Sequence, residues 1–153
     1  MRILSLDVGE KNIGVAVSDE LGIIAQGLGV IKRQSRRQVF SVLAGYVKEY
    51  CVQEIVIGLP RNMDGTIGPQ AAKVLAFKEK LAQSVNIPVV TYDERLTTMA
   101  AERTLLEADV SRRARKKVID KLAAVFILES YLRHKKRHKA AEQNKNGWGE
   151  GLK

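Results

Sequence analysis

The chain has 153 residues and a formal net charge of +9, and 45% of its residues are hydrophobic and 28% charged. These values are typical of one folded globular domain and exclude a two-domain enzyme and a disordered chain. Because no uncharged stretch exceeds 12 residues and Cys51 is the single cysteine, a spanning helix and an internal disulfide are also excluded, and we expect a cytoplasmic protein with no membrane partner.

The first third of the chain predicts three β-strands, at residues 3–8, 13–18 and 23–31. Each segment is short and rich in β-branched residues, and glycine-containing turns separate them. Because links this short favour antiparallel pairing, we expect a meander of three strands.

Helices and strands alternate in the remainder of the chain. Apolar residues recur at helical spacing after Ser35, a residue type that commonly caps helices, so a helix is predicted to begin there. The following predictions, in chain order, are a strand at 54–58, a glycine-rich loop at 59–69, a helix at 70–84, a strand at 87–92, a helix at 98–108, a basic linker and a helix at 114–139.

This order of elements predicts an α/β fold. Its mixed five-stranded sheet would combine a three-stranded antiparallel meander with two parallel strands, flanked by helices, so that the first, fourth and fifth strands are parallel. We expect a single domain over 1–139 and, because residues 140–153 are polar and glycine-rich, a flexible C-terminal tail.

Asp7 is the first candidate site residue, because it lies late in an apolar central strand. A buried carboxylate is costly unless it is paired, hydrogen-bonded or bound to a metal. Gly9 and Gly14 follow it and would let the backbone turn close to a phosphate. The alternative is that Asp7 caps a turn toward Lys11.

An acidic pair, Asp93 and Glu94, ends the fifth predicted strand. The two acids could bind a metal, and the hydrogen-bond donors next to them could bind a phosphate, namely Arg95, Thr97 and Thr98. The alternative is a helix N-terminus, where a threonine caps and the acids favour the positive end of the dipole. Strand alternation does not tell which of the two acids would face a metal.

Asp120 is the third candidate, on the apolar face of the last predicted helix. It shares that face with Ala124 and Ile127, so we expect the carboxylate to point inward. The alternative is an exposed pairing with Lys116 or Lys117, one turn earlier.

Together the three acids predict a metal site at one edge of the sheet. Carboxylates that close suppress each other's ionisation unless a cation compensates. A site with oxygen donors only suits Mg²⁺ or Mn²⁺ better than zinc, and two such ions can promote phosphodiester hydrolysis.

The net charge is concentrated near the C-terminus. Residues 112–139 contain 11 Lys and Arg against two acids, whereas the rest of the chain has 15 of each. Clustered cations favour a nucleic-acid partner, although a solvated helix face is the alternative. The cations predicted to lie nearest the acids are Arg112, Arg113, Arg115, Lys116 and Lys117.

Four sequence runs resemble the signature blocks of the YqgF/RuvX family. They are LDVGEKNIGVAVS at 6–18, IVIGLPRNMDGTIGP at 55–69, YDERLTT at 92–98 and VIDKLAAVFILESYL at 118–132. The resemblance implies a ribonuclease H-like fold and a nuclease that matures the 5′ end of precursor 16S rRNA in ribosome biogenesis. By the same resemblance, the catalytic and metal-binding residues would be Asp7, Glu94 and Asp120, with Asp93 as a further possible ligand, and substrate contacts would come from Lys11, Asn62, Arg95, Thr97 and Thr98.

Three functional hypotheses follow. The first is a metal-dependent endonuclease acting on structured RNA, with branched DNA as the other substrate, as in a Holliday junction resolvase. The second is a non-catalytic nucleic-acid-binding factor, because retained acids do not guarantee turnover. The third is nucleotide binding of the actin and sugar-kinase type, which normally needs two such domains. A monomer and a homodimer are both compatible with the sequence.

Overall fold

A computed structural model describes residues 1–97 and 112–150 of the chain, with the side chains of 1–97 and 119–145. Five strands and three helices lie in this part. They are β1 (Arg2–Val8), β2 (Asn12–Ser18), β3 (Ala25–Lys32), α1 (Arg36–Glu49), β4 (Val52–Leu59), α2 (Pro69–Ser84), β5 (Val89–Asp93) and α3 (Arg112–Glu150), with a 3₁₀ turn (Glu94–Leu96) directly after β5.

The strands form one mixed sheet in the order β3-β2-β1-β4-β5. β2 pairs antiparallel with both β1 and β3, whereas β4 pairs parallel with both β1 and β5. This topology confirms the predicted α/β fold, in which the first, fourth and fifth strands are parallel. The carboxyl ends of β1, β4 and β5 therefore meet at one edge.

Helix starts follow local rules. The Ser35 hydroxyl accepts the Gln38 N–H at 3.1 Å, which confirms it as the N-cap of α1. Pro69 opens α2, where its missing N–H costs nothing.

The two faces of the sheet are covered by different helices. Leu4, Leu6 and Val8 of β1 belong to the larger core, together with residues of α1 and α2. Ile3 belongs to a second core with residues of α3. Because side chains alternate along a strand, Asp7 shares the α3 face with Ile3.

One hydrogen bond sets the position of α3 along β1. The hydroxyl of Ser5, fully buried, donates to the carbonyl of Ala124 at 2.6 Å. The step of two residues from Ser5 to Asp7 along β1 has about the same length, about 6 to 7 Å, as the step of four residues from Ala124 to Asp120 along α3. Asp7, two residues after Ser5, therefore lies near Asp120, one turn before Ala124.

Most predicted boundaries lie within two residues of the observed ones, and two of the differences have a clear physical cause. β3 begins at Ala25 and not at residue 23, because the Asp19 carboxylate accepts the N–H groups of Ile23 and Ile24 and holds them in a turn. α3 extends beyond residue 139 to Glu150. The sequence after residue 139 begins AAEQ, four good helix formers, which explains the extension.

Other predictions are not tested by this structure. The predicted helix at 98–108 falls on residues outside the described part. The division into a domain over 1–139 and a flexible tail stays a prediction. Among the helices in residues 1–97 and 112–150, none has the length and apolar character of a membrane span.

Candidate active site

Gly14 brings Asp7 and Asp120 to the same place. Asp7 lies directly opposite Gly14 in the β1–β2 ladder, so the two residues project to the same face, with opposing Cβ positions about 5 Å apart. A Cβ on Gly14 would lie 1.8 Å from the backbone carbonyl oxygen of Asp120. The backbone of α3 therefore rests directly on Gly14, beside Asp7.

Gly58 leaves room for the side chain of Glu94, as Gly14 does for the backbone of α3. Leu6 pairs with Ile57, so the next residue of β4, Gly58, lies beside Asp7 in the sheet. A Cβ on Gly58 would lie 2.6 Å from Oε1 of Glu94 and 2.5 Å from Cδ1 of Ile127 on α3. The Glu94 carboxylate therefore covers Gly58 on the α3 face.

The structure thus brings the three predicted acids to one region, on the α3 face of β1 and β4. Asp7, Glu94 and Asp120 are each half-buried, and Oδ2 of Asp120 is shielded from solvent. Each of them takes part in a polar or electrostatic interaction. Gly14 and Gly58 leave room for the close approach of Asp120 and Glu94 at this place.

The donor chemistry of this region fits a hard divalent cation. Carboxylate oxygens are the ligands that Mg²⁺ and Mn²⁺ prefer. As the side chains stand, no three acidic, histidine or cysteine groups of the described residues are close enough together to hold a metal ion. Side-chain rotation of the acids would therefore be needed to complete a ligand set.

Asp93 is engaged elsewhere. Its carboxylate accepts Arg95 Nε at 3.0 and 3.1 Å and Arg95 Nη2 at 2.7 Å, and it also caps the 3₁₀ turn through the Arg95 N–H. The hydrogen bonds from Arg95 hold the pKa of Asp93 below its usual value. Tyr92, its neighbour, packs into the α3 core, so Asp93 projects from the other face of β5. The geometry therefore favours Glu94 over Asp93 at the carboxylate region.

Arg95 and Thr97 support the segment around Glu94. Arg95 Nη1 donates to the Met63 carbonyl at 3.3 Å and so ties the turn to the loop before α2. The Thr97 hydroxyl donates to the Glu94 carbonyl at 2.7 Å. Both predicted substrate contacts thus use much of their hydrogen bonding to hold the turn that carries Glu94.

The other predicted substrate contacts lie farther out or outside the described part. Asn62 organises its own loop by donating to the Thr66 hydroxyl at 2.9 Å. Lys11 is exposed in the β1–β2 turn. Thr98 is not among the described residues, and only the helical backbone is described for Arg112, Arg113, Arg115, Lys116 and Lys117, which precede Asp120 on α3.

Sequence reasoning did not assign a role to Ser5 or Gly58. Two signals were available in the sequence. Ser5 is a polar residue inside an apolar strand, and Gly58 is a glycine near the end of another strand, and both patterns indicate that another element packs closely there. The sequence predicted that Gly14 lies in a turn, whereas it lies inside β2, where the backbone of α3 packs against it.

Comparison with known proteins gives a family match over most of the chain. The family model described as "RuvX: Holliday junction resolvase" matches residues 1–134. A relative from Desulforamulus reducens, named "Putative pre-16S rRNA nuclease", is 55% identical over 132 residues, which are 86% of this chain and 96% of the relative. A protein of the same name from Symbiobacterium thermophilum is 58% identical over 132 residues, covering 86% and 92%.

Solved structures show the same fold at low sequence identity. The RuvC structure from Thermus thermophilus matches with a TM-score of 0.55 and 14% identity, covering 88% of this chain and 96% of that one. The fowlpox virus Holliday junction resolvase matches with a TM-score of 0.50 and 17% identity, covering 88% and 99%. The fold is therefore the ribonuclease H-like fold of RuvC.

Proposed function

Because the chain belongs to the RuvX family, we propose that it is a metal-dependent endonuclease that cuts the precursor of 16S rRNA. Hydrolysis of phosphodiester bonds is the activity that its homologues' names and its family share. The observation that carries the proposal is the seating of Asp7, Glu94 and Asp120 around Gly14 and Gly58.

The proposed metal ligands are Asp7, Glu94 and Asp120. Each comes from a different element, so the site exists only when β1, the turn after β5 and α3 are packed together. Ionised carboxylates that converge on one cation site would repel each other, and a divalent cation would offset that repulsion. When bound, Mg²⁺ or Mn²⁺ supplies activation of water and stabilisation of the leaving oxygen in phosphodiester hydrolysis.

The protein's own residues would orient the substrate. Arg95 fixes the loop before α2 against the Glu94 turn, so that this loop flanks the carboxylates. Five basic residues precede Asp120 on α3 and would neutralise phosphates next to the scissile bond, namely Arg112, Arg113, Arg115, Lys116 and Lys117.

A Holliday junction is the second candidate substrate. The family model's description names a Holliday junction resolvase, and the fold is that of RuvC. The names of the relatives, more than half identical to this chain, favour precursor 16S rRNA as the first.

The experiment is a cleavage assay on both substrates. The purified chain is incubated with a 5′-extended precursor 16S rRNA fragment and with a four-way DNA junction, each with Mg²⁺, Mn²⁺ or EDTA. We expect cleavage of the rRNA fragment with either metal and none with EDTA, and an Asp7→Asn variant prepared in parallel controls for contaminating nucleases. If only the junction is cleaved, the substrate is branched DNA and not rRNA. If the parent protein cleaves neither substrate, the nuclease proposal is contradicted and a nucleic-acid-binding factor is favoured.

A further inference from the structure

A basic groove lies on the face of the sheet opposite α3. It consists of two adjoining cavities of about 670 and 380 Å³ between the carboxyl end of β1, α1 and α2. Arg33, Arg36 and Lys73 line both cavities, so the two form one continuous groove. We call it the α1–α2 groove.

The α1–α2 groove carries excess positive charge. Its lining includes Arg33, Arg36, Lys73 and Lys80 against one acid, Glu10. Glu10 pairs with Lys73 at 3.1 Å, and that contact lowers the pKa of the carboxyl group. In the part of the chain that the structure describes, Arg36 and Lys80 form no ion pair, so their charge is available to an anionic ligand.

Aromatic rings form part of the groove wall. Phe40 and Phe77 pack edge to face with centroids 5.6 Å apart, and Phe40 is half-buried. The Arg33 guanidinium lies 5.5 Å from the Phe77 centroid. A groove that combines cations with aromatic rings is typical of proteins that bind single-stranded nucleic acid, where phosphates meet the cations and bases meet the rings.

The groove begins at the end of the strand that carries Asp7. Val8 and Gly9 line it, and Asp7, the residue before Val8, projects to the other face of the same strand. Arg33 Nη1 donates to the Gly9 carbonyl at 2.7 Å and fixes the backbone at this crossing point. Asp7 and Gly9 are about 7 Å apart along the strand. A nucleic-acid strand that passes over the end of β1 at Gly9 can therefore contact both the α1–α2 groove and the carboxylate region.

We propose that the α1–α2 groove binds a single-stranded segment of the nucleic acid next to the bond that is cut. The proposal rests on the proposed nuclease function and adds a second contact surface, separate from the basic residues of α3. Arg36 and Lys80 bind phosphates of this segment, and Phe40 offers a surface to a base.

The test measures binding of a 15-nucleotide fluorescein-labelled oligouridylate to the full chain by fluorescence anisotropy, in EDTA so that no cleavage occurs. The groove variant is Arg36→Ala/Lys80→Ala. The matched control, Arg37→Ala/Lys48→Ala, removes the same charge from exposed positions of α1 that do not line the groove. We expect the groove variant to bind about tenfold more weakly, and its plot of log affinity against log salt to be shallower by about 1.4, since each lost phosphate contact removes about 0.7 on a single strand.

Equal effects of the groove and control variants would overturn the proposal, because they would show a dependence on net charge alone. An equal loss on a blunt RNA duplex of the same length would overturn the assignment to a single strand. Thermal unfolding of both variants checks that each is folded. If the groove variant binds as the parent does and the parent cleaves its substrate, the groove proposal alone is rejected. If the groove variant binds more weakly and the parent does not cleave, the nuclease proposal alone is rejected.

Discussion

Replacing Asp7 or Asp120 with asparagine should lower metal-dependent cleavage at least about 100-fold, since a bound metal supplies several kcal/mol of transition-state stabilisation and each 1.36 kcal/mol is a factor of ten. Asparagine keeps the size of the side chain but removes the charge that holds the cation. We expect both variants to fold and to bind RNA in EDTA as the parent does. Initial rates of cleavage across a Mg²⁺ titration measure the effect.

The control for this experiment is Glu49→Gln, which removes one negative charge at the exposed end of α1, on the other side of the sheet. It should cleave at the rate of the parent. If Asp7→Asn and Asp120→Asn also cleave at that rate, the two residues are not metal ligands and the proposed site is wrong.

Adding one methyl group at Gly14 should destabilise the protein by about 3 kcal/mol or more, at the upper end of the cost of overpacking. The new Cβ would lie 1.8 Å from the Asp120 carbonyl oxygen, a backbone atom that moves only if α3 moves. For a chain of this length the melting temperature should fall by about 6 to 12 °C. Because the shift displaces Asp120, any folded Gly14→Ala protein should also cleave more slowly.

Gly45→Ala is the matched glycine substitution. Gly45 lies inside α1, and a Cβ there would meet no atom within 4 Å. Alanine should therefore stabilise the protein by about 0.5 to 1 kcal/mol through the lower entropy of the unfolded chain. A Gly14→Ala protein as stable as the parent would show that α3 does not rest on β2, and the convergence of the acids would lose its main support.

The mixed sheet, with its antiparallel meander and its parallel first, fourth and fifth strands, could be predicted from the sequence because local patterns determine it. The apolar segments of β1, β2 and β4 are bounded by turn residues, and the length of each link limits how neighbouring strands pair. The carboxyl edge of the parallel strands then indicated where polar residues would collect. Asp7 and Asp120 were chosen as charged residues within apolar surroundings, and the structure places both on the face between β1 and α3.

Choices between adjacent residues could not be made from the sequence. Asp93 and Glu94 both end an apolar strand, and the side that each faces depends on where β5 stops and the 3₁₀ turn begins. Ile23 and Ile24 look like strand residues, but two hydrogen bonds to the Asp19 carboxylate place them in an exposed turn. Both outcomes depend on hydrogen bonds that periodicity does not reveal.

The α1–α2 groove was missed because charge was counted along the chain. That count places the entire excess in residues 112–139, yet Arg33, Arg36, Lys73 and Lys80 come together from separate segments only after folding. The spacing of seven between Lys73 and Lys80 puts them on one face of α2 and was the one local signal. A count of charge along the chain therefore misses a groove whose cations come from separate segments.

Soaking a crystal of the protein with Mn²⁺ and collecting anomalous diffraction tests the central claim most directly. We expect an anomalous peak among the carboxylates of Asp7, Glu94 and Asp120, about 2 to 2.5 Å from the ligating oxygens, and its loss in the Asp7→Asn/Asp120→Asn variant. Manganese bound elsewhere on the protein, with these three carboxylates empty at saturating Mn²⁺, would contradict the account.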